Sequence, residues 1–296
     1  YNLIDELQVF YKDKCIYENL QEKIKNICDI DRLHRKMAVN MMNPYQFINL
    51  DLSYYSILNI IEEIYIINNN LIKDIIPSND ILSKFKNFID DYNDKIKLNS
   101  LTGVNLSNMK INIFKKGIYP EIDELQEKID ECYLYFEKLS IELSKINKSS
   151  EKNKKIVELK FNDRDGHYLS TTKTRGIYIK NNLINKDGYD FSKLNFKSNT
   201  TTMKITSSDI KNYSHKLISY QEKIKKISFD KFSELCQLYY AKYNSILKII
   251  SKFIAYLDFL CSISKVSKEN CYTKPEIIDK KESYIEAVDL RHPIIE

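Results

Sequence analysis

Glycine and proline number only five each in 296 residues, and tryptophan is absent. So few turn formers exclude an all-β sandwich and a Gly-loop nucleotide enzyme, and they leave helix as the dominant element. No apolar run reaches the roughly 18 residues that a membrane-spanning helix needs. The richest stretch, Ile57 to Ile76, is broken by Glu62, Glu63, Asn68, Asn69, Asn70, Lys73 and Asp74. No charged, apolar and small-residue leader stands at the N-terminus, so the chain reads as soluble and intracellular, and as a piece of something longer. The six cysteines, at 15, 28, 132, 236, 261 and 271, form no C-x-x-C pair and no dense framework; reduced, mostly buried thiols are expected.

What is present is helical periodicity. From Leu3 to about Leu98 the pattern is helical throughout, with the sets Ile16, Leu20, Ile24, Ile27 and Ile81, Phe85, Phe88, Tyr92, Ile96 at steps of three and four. Pro44 and Pro77 punctuate it, and Ser78, Asn79 and Asp80 supply N-cap candidates for a new helix. Pro120 suits a first helical position, with Glu121, Asp123 and Glu124 at the positive end of the dipole. Behind it Ile122, Leu125, Ile129, Cys132, Phe136, Leu139, Leu143 and Ile146 make a heptad seam, predicting a helix of about 28 residues and ~40 Å that demands a partner. That partner is a second seam, Ile210, Tyr213, Leu217, Tyr220, Ile224 and Ile227, resuming as Ile246, Ile249, Phe253, Tyr256, Leu260 and Ile263, with no Gly or Pro between Gly188 and Pro275. One very long helix or two nearly collinear ones follow, with any break near Ser228 to Lys231, where the spacing slips.

Between the seams the period changes to two. Val157, Leu159 and Phe161 alternate with polar residues, Asp165-Gly166 gives a hairpin signal, and His167 to Lys173 reads as the returning strand. Arg175-Gly176 reads as a turn into a strand at Ile177 to Lys180, Asp187-Gly188 as another turn, and Thr202 to Thr206 as a fourth strand. The predicted fold is mainly α: a helical bundle with two long antiparallel helices carrying a small inserted antiparallel sheet at their tip.

Charge is concentrated there. Lys160 to Lys216 hold eleven basic and five acidic residues, while the rest of the chain has one acid in excess. A cationic patch at the end of a lever suits a polyanion. Lys160 and Lys204 fall on the polar faces of their strands and Arg164 and Arg175 at turns, with Lys173 and Lys180 close by; Thr200, Thr201, Thr202, Ser207 and Ser208 add hydroxyl donors. Lysines that merely keep a sheet soluble are the competing reading. No aromatic-basic motif for single strands or RNA is present. Asp163, Asp165 and His167 suit turn chemistry better than a metal site, no Cys-His spacing suggests a nucleophile, and Asp29 with Arg32 reads as a helix brace.

Several segments together resemble the MutS family of DNA mismatch-repair proteins. Cys28-Asp29-Ile30-Asp31-Arg32-Leu33 followed by Asn43-Pro44-Tyr45-Gln46-Phe47-Ile48-Asn49-Leu50 is similar to the family's D-x-x-R-L … P-x-x-L stretch. Tyr119-Pro120-Glu121-Ile122-Asp123-Glu124-Leu125 resembles its Y-x-x-x-L-D-x-L helix start. Leu159-Lys160-Phe161-Asn162 with Gly166-His167-Tyr168 resembles the hairpin that opens the clamp, although His167 intervenes before the tyrosine. Thr202-Met203-Lys204 is similar to the closing T-L-K, and Leu290 to Glu296 is close to the R-H-P-V-V-E that begins the ATPase domain.

The resemblance implies a lever/core over residues 1–155, a clamp over 156–208, a long helix returning to the lever over 209–270, and the start of an ATPase domain over 271–296. It implies double-stranded DNA as partner, phosphate contacts from Lys160, Arg164, Lys173, Arg175, Lys180 and Lys204, a homo- or heterodimer in the full-length form, no membrane, and ATP with Mg for the full-length protein. This chain itself reads as no enzyme and as holding no cofactor or metal: its glycines, at 103, 117, 166, 176 and 188, build no Walker A loop. Phe232-Ser233-Glu234 copies the letters of the family's mismatch wedge but falls within a helix. A relative devoted to recombination junctions or ribosomes, and a coiled-coil scaffold without DNA binding, are the alternatives.

Overall fold

The computed structural model describes residues 1–146, 156–183, 191–279 and 282–290. The first third is a stack of helices: α1 (Asn2–Leu7), α2 (Ile16–Ile24), α3 (Ile30–Ala38), α4 (Pro44–Ile67), α5 (Asn70–Lys73) and α6 (Asn79–Lys95). A short hairpin, β1 (Phe10–Tyr11) and β2 (Lys14–Cys15), turns through Lys12 at φ 61° between α1 and α2. It corrects the reading of unbroken helix from Leu3: Asp13 and the left-handed Lys12 allow a two-residue reversal that apolar periodicity does not register. Pro44 opens α4 as its first residue, and Asn68 closes it in the left-handed conformation. Ser78 takes the N-cap position of α6.

The two long helices are α7 (Pro120–Ile146) and α9 (Ser208–Glu269). They run antiparallel: Tyr135 stacks on Tyr213, Gln221 donates to the Tyr133 hydroxyl at 2.9 Å, and Lys231 lies over the Tyr119 ring. At 62 residues α9 spans about 93 Å against ~40 Å for α7, so α7 covers only about its first two fifths. The remainder packs on α1, α2, α3 and α6. Gln8 donates to the Ser264 carbonyl at 2.9 Å, Ser251 donates to Asp31 at 2.6 Å, and Tyr239 and Tyr243 meet Phe88.

No break occurs at Ser228 to Lys231. The spacing slips there because the apolar stripe changes partner and rotates around a continuous helix. Below that point Ile246, Phe253 and Leu260 of the second seam are buried together with Tyr239, Tyr243, Leu247, Ile250, Ile254, Leu257 and Cys261, whereas Ile249 and Tyr256, which the seam included, are exposed. An aromatic cluster of Phe47, Tyr54, Phe85, Phe88 and Tyr92 fills the space between α4, α6 and α9. Phe232 is buried beside Phe47, so the Phe232-Ser233-Glu234 triplet belongs to this core.

The inserted segment folds as β3 (Glu158–Asn162), β4 (Gly166–Thr172), α8 (Lys173–Asn181), β5 (Asn195–Ser198) and β6 (Thr202–Thr206). The four strands form one antiparallel sheet in the order β3-β4-β6-β5. The strand read at Ile177 to Lys180 is helix instead. Gly176 is buried in α8, where a Cβ would stand 2.6 Å from the Met203 sulfur, so the glycine serves helix-to-sheet approach and makes no turn. The Asp187-Gly188 turn and the Arg291 to Glu296 motif lie outside the described residues.

Candidate nucleic-acid interface

Strand alternation divides the sheet into two faces. His167, Leu169, Thr171, Met203 and Ile205 are buried, paired across the strands as Leu169 with Ile205 and Thr171 with Met203. This inner face is covered by α8 and by the adjoining ends of α7 and α9. Ser140 of α7 donates to the Val157 carbonyl, and the His167 amide donates to the Ser214 hydroxyl at 2.7 Å, anchoring both ends of the sheet to the helix pair.

The outer face has a different composition. One row across the sheet pairs Glu158 with Ser170, Ser170 with Lys204, and Lys204 with Lys197; the next pairs Lys160 with Tyr168. With strands ~4.8 Å apart, Lys160, Lys204 and Lys197 share one surface of a few strand widths. Arg164 projects from the β3–β4 turn beside it, exposed. Among the described residues Lys160, Arg164 and Lys197 make no ion pair.

Lys204 is placed differently from its neighbours. Its ammonium lies 4.2 Å from the Tyr168 ring centroid and 2.5 Å from an Asp165 carboxylate oxygen, and its side chain is only 14% exposed. The hydrogen bond from Lys204 is the main reason that the Asp165 carboxyl titrates below its ordinary value, with a smaller contribution from Asn162. Lys204 thus reaches the outer face already half neutralised.

The remaining predicted residues do not join this surface. Lys173, Arg175 and Lys180 are exposed on α8, which covers the opposite face of the sheet, so Arg175 is a helical residue and no turn residue. The six cations divide into Lys160, Arg164 and Lys204 on one side and Lys173, Arg175 and Lys180 on the other. Lys197, which the sequence reading counted in the charge balance without singling out, is the residue missed; its alternation with Phe196 and Ser198 was the available signal. Among the hydroxyls, Ser207 is buried and accepts from the Ile210 amide as the N-cap of α9, which removes it from the surface, while Thr200 and Thr201 are exposed.

Two smaller readings resolve locally. His167 lies on the inner face with its ring 4.9 Å from Phe161 and 6.2 Å from Phe136, separated from Asp163 and Asp165. Burial, followed by the charge of Lys110, pushes its pKa down. Asp29 accepts from the Arg32 amide as the N-cap of α3 and lies 3.6 Å from the Arg32 guanidinium, a brace at the helix start. Gly103 and Gly117 sit between α6 and α7, Gly166 in the β3–β4 hairpin and Gly176 inside α8.

The arrangement defines a class: a helical bundle with one long shared helix and a small, basic antiparallel sheet inserted between its two long helices. The chain belongs to the MutS family over this segment. It is 32% identical over 301 residues to a putative DNA mismatch repair protein mutS homolog of Acanthamoeba polyphaga mimivirus, an alignment covering 95% of this chain and 26% of that protein. It is 26% identical to the DNA mismatch repair protein MutS of Clostridioides difficile, over 100% of this chain and 29% of the relative. The MutS of Thermodesulfovibrio yellowstonii is 25% identical over 99% of the chain and 31% of its own length. The chain therefore spans less than a third of these relatives. No family model matches it.

Proposed function

We propose that this chain is the lever and clamp of a mismatch-repair protein that grips duplex DNA through its phosphates. The outer face of the clamp sheet carries this reading: Lys160, Arg164 and Lys197 share one exposed surface with no counter-ion among the described residues, and ~4.8 Å strand spacing sets their separation. No acceptor or donor pattern suited to base edges is built there, so binding is independent of sequence and salt-dependent. The α8 cations Lys173, Arg175 and Lys180 face away from this surface and serve solubility.

In the same reading α9 is the transmission element. It passes unbroken from the clamp sheet to the lever base, so a change at one end displaces the other without an intervening hinge. The ATP- and Mg-binding domain and the dimer contact belong to other parts of the full-length protein, and the assembly works inside the cell on double-stranded DNA.

The test is the salt dependence of duplex binding by the full-length protein, followed by fluorescence anisotropy. Replacing Lys160, Arg164 and Lys197 together by Ala flattens the log-log slope by roughly two to three units, since each phosphate contact adds about 0.9. The loss is equal on matched and mismatched duplexes. The Lys173, Arg175 and Lys180 triple variant leaves the slope in place. A slope unaltered by the first triple refutes the outer face as the phosphate site.

A further inference from the structure

At the base of the lever, 253 residues apart in sequence, the Lys268 ammonium lies 2.7 Å from the Cys15 sulfur. That is a direct contact, closer than nitrogen and sulfur stand in an ordinary hydrogen bond. Each group is held in place by its own element. Cys15 is the N-cap residue of α2. Its amide donates to Glu18 at 2.7 Å, fixing the cap. Lys268 stands in the last turn of α9 with its ammonium 4.6 Å from the Phe10 ring centroid, so the β1–β2 hairpin and the end of α9 clasp the pair from both sides.

We infer that Cys15 and Lys268 form an oxidation-dependent covalent cross-link, a sulfenamide joining the N-terminal hairpin to the end of α9. The oxidant is a peroxide. Sulfur attacks it, the S–O bond forms as the O–O bond breaks, water leaves, and Cys15 becomes a sulfenic acid, oxidised by two electrons. Lys268 then gives one ammonium proton to solvent. The free amine of Lys268 attacks sulfur, the S–N bond forms, the S–O bond breaks, and hydroxide departs with the nitrogen's proton as a second water. In sum, thiol, amine and hydrogen peroxide give a sulfenamide and two waters. An external thiol reverses the link by attacking sulfur and releasing the amine.

Cys236, Cys261 and Cys271 lack this setting. Burial pushes the Cys236 and Cys261 thiols up to about 12, which disfavours their nucleophilic form, and Cys271 is exposed with no lysine amine against its sulfur among the described residues. Cys15 is buried and its partner Lys268 is exposed. In this inference hydrogen peroxide, a very small oxidant, reaches the sulfur past the lysine side chain. The linked form ties the lever base into one unit, because the hairpin can no longer slide along α9.

The experiment treats the full chain with hydrogen peroxide in a Cys271→Ser background, digests it without reductant and maps the peptides. The expected product is a Cys15 peptide joined to a Lys268 peptide, about 2 Da lighter than their sum and separated by dithiothreitol. Lys268→Arg keeps the charge and the ring contact but removes the primary amine; in it the linked pair disappears and dimedone labelling of Cys15 rises several-fold. Wild-type protein in which Cys15 stays unmodified, or proceeds to sulfinic acid with no linked peptide, overturns the inference. So does an equal yield of linked peptide from the arginine variant.

Discussion

The rings of Tyr135 on α7 and Tyr213 on α9 stack face to face, with centroids 3.8 Å apart and planes 7° from parallel. They stand where the helix pair meets the clamp sheet, and Tyr213 immediately precedes Ser214, whose hydroxyl holds the His167 amide. Tyr135→Ala and Tyr213→Ala each destabilise the chain, and a double-mutant cycle in urea returns a coupling of about 1 kcal/mol, the size expected for an aromatic pair beyond its buried area. A coupling near zero shows that the stack follows from helix packing without adding to it.

Gly176 fixes how closely α8 approaches the sheet. A methyl group there meets the Met203 Cβ at 2.7 Å, and a Cβ cannot swing aside as a side-chain end can. Gly176→Ala costs about 1 to 3 kcal/mol by overpacking, and Met203→Ala in the same chain, which removes the Sδ and Cγ contacts at 2.6 and 3.0 Å but keeps the Cβ, recovers only the part due to them. Differential scanning fluorimetry of the two singles and the double variant reads the rescue directly.

In the proposed interface Asp165 competes with DNA for Lys204. Asp165→Asn leaves the ammonium over the Tyr168 ring without its carboxylate, so the salt slope of duplex binding steepens by up to about 0.9 and affinity rises. The pair is solvent-facing on the Asp165 side, and the melting temperature changes little. If the slope is unmoved, Lys204 takes no part in the interface.

His34 gives the lever an acid limit. Burial pushes its imidazole down from 6.5 to about 4, with Asp31 opposing more weakly, and its Nε2 is 2.7 Å from the Tyr54 hydroxyl. The folded chain holds the ring neutral while the unfolded chain takes up a proton near 6.5. This contribution to stability is therefore complete above about pH 6.5 and drains away as pH falls towards about 4, by roughly 3 kcal/mol in all. Urea midpoints taken across that window fall with a slope that His34→Phe abolishes.

Ser228 sits at the changeover of α9 from α7 to the lever, fully buried, with its hydroxyl oxygen unpartnered among the described residues. Ser228→Ala removes the unsatisfied group and raises stability by about 1 kcal/mol, since no hydrogen bond is lost with it. A decrease in the urea midpoint contradicts this.

The α7 seam was legible residue by residue because a helix with one partner keeps a single stripe: Ile122, Ile129, Cys132, Phe136, Leu139 and Leu143 are all buried. The lower half of α9 was legible in part: Ile246, Phe253 and Leu260 of its seam are buried. Its stripe rotates to meet several helices at once, so Ile249 and Tyr256 fit a heptad and still face solvent. Residues 173–181 were misread because Arg175-Gly176 has the letters of a turn; what the glycine answers is Met203, 27 positions later, which no local pattern encodes.

Composition and periodicity by themselves determined that the chain is mainly helical, that two long amphipathic helices bracket a small sheet, and that the excess positive charge sits on that insertion, because these follow from spacing within single elements. Only the tertiary structure decided which cations share a face. Strand order places Lys160, Lys197 and Lys204 together, α8 carries Lys173, Arg175 and Lys180 behind the sheet, and Asp165 claims Lys204. It also brought Cys15 against Lys268. Such pairings depend on how separate elements dock, and docking is settled by the burial of the whole core and not by any one segment.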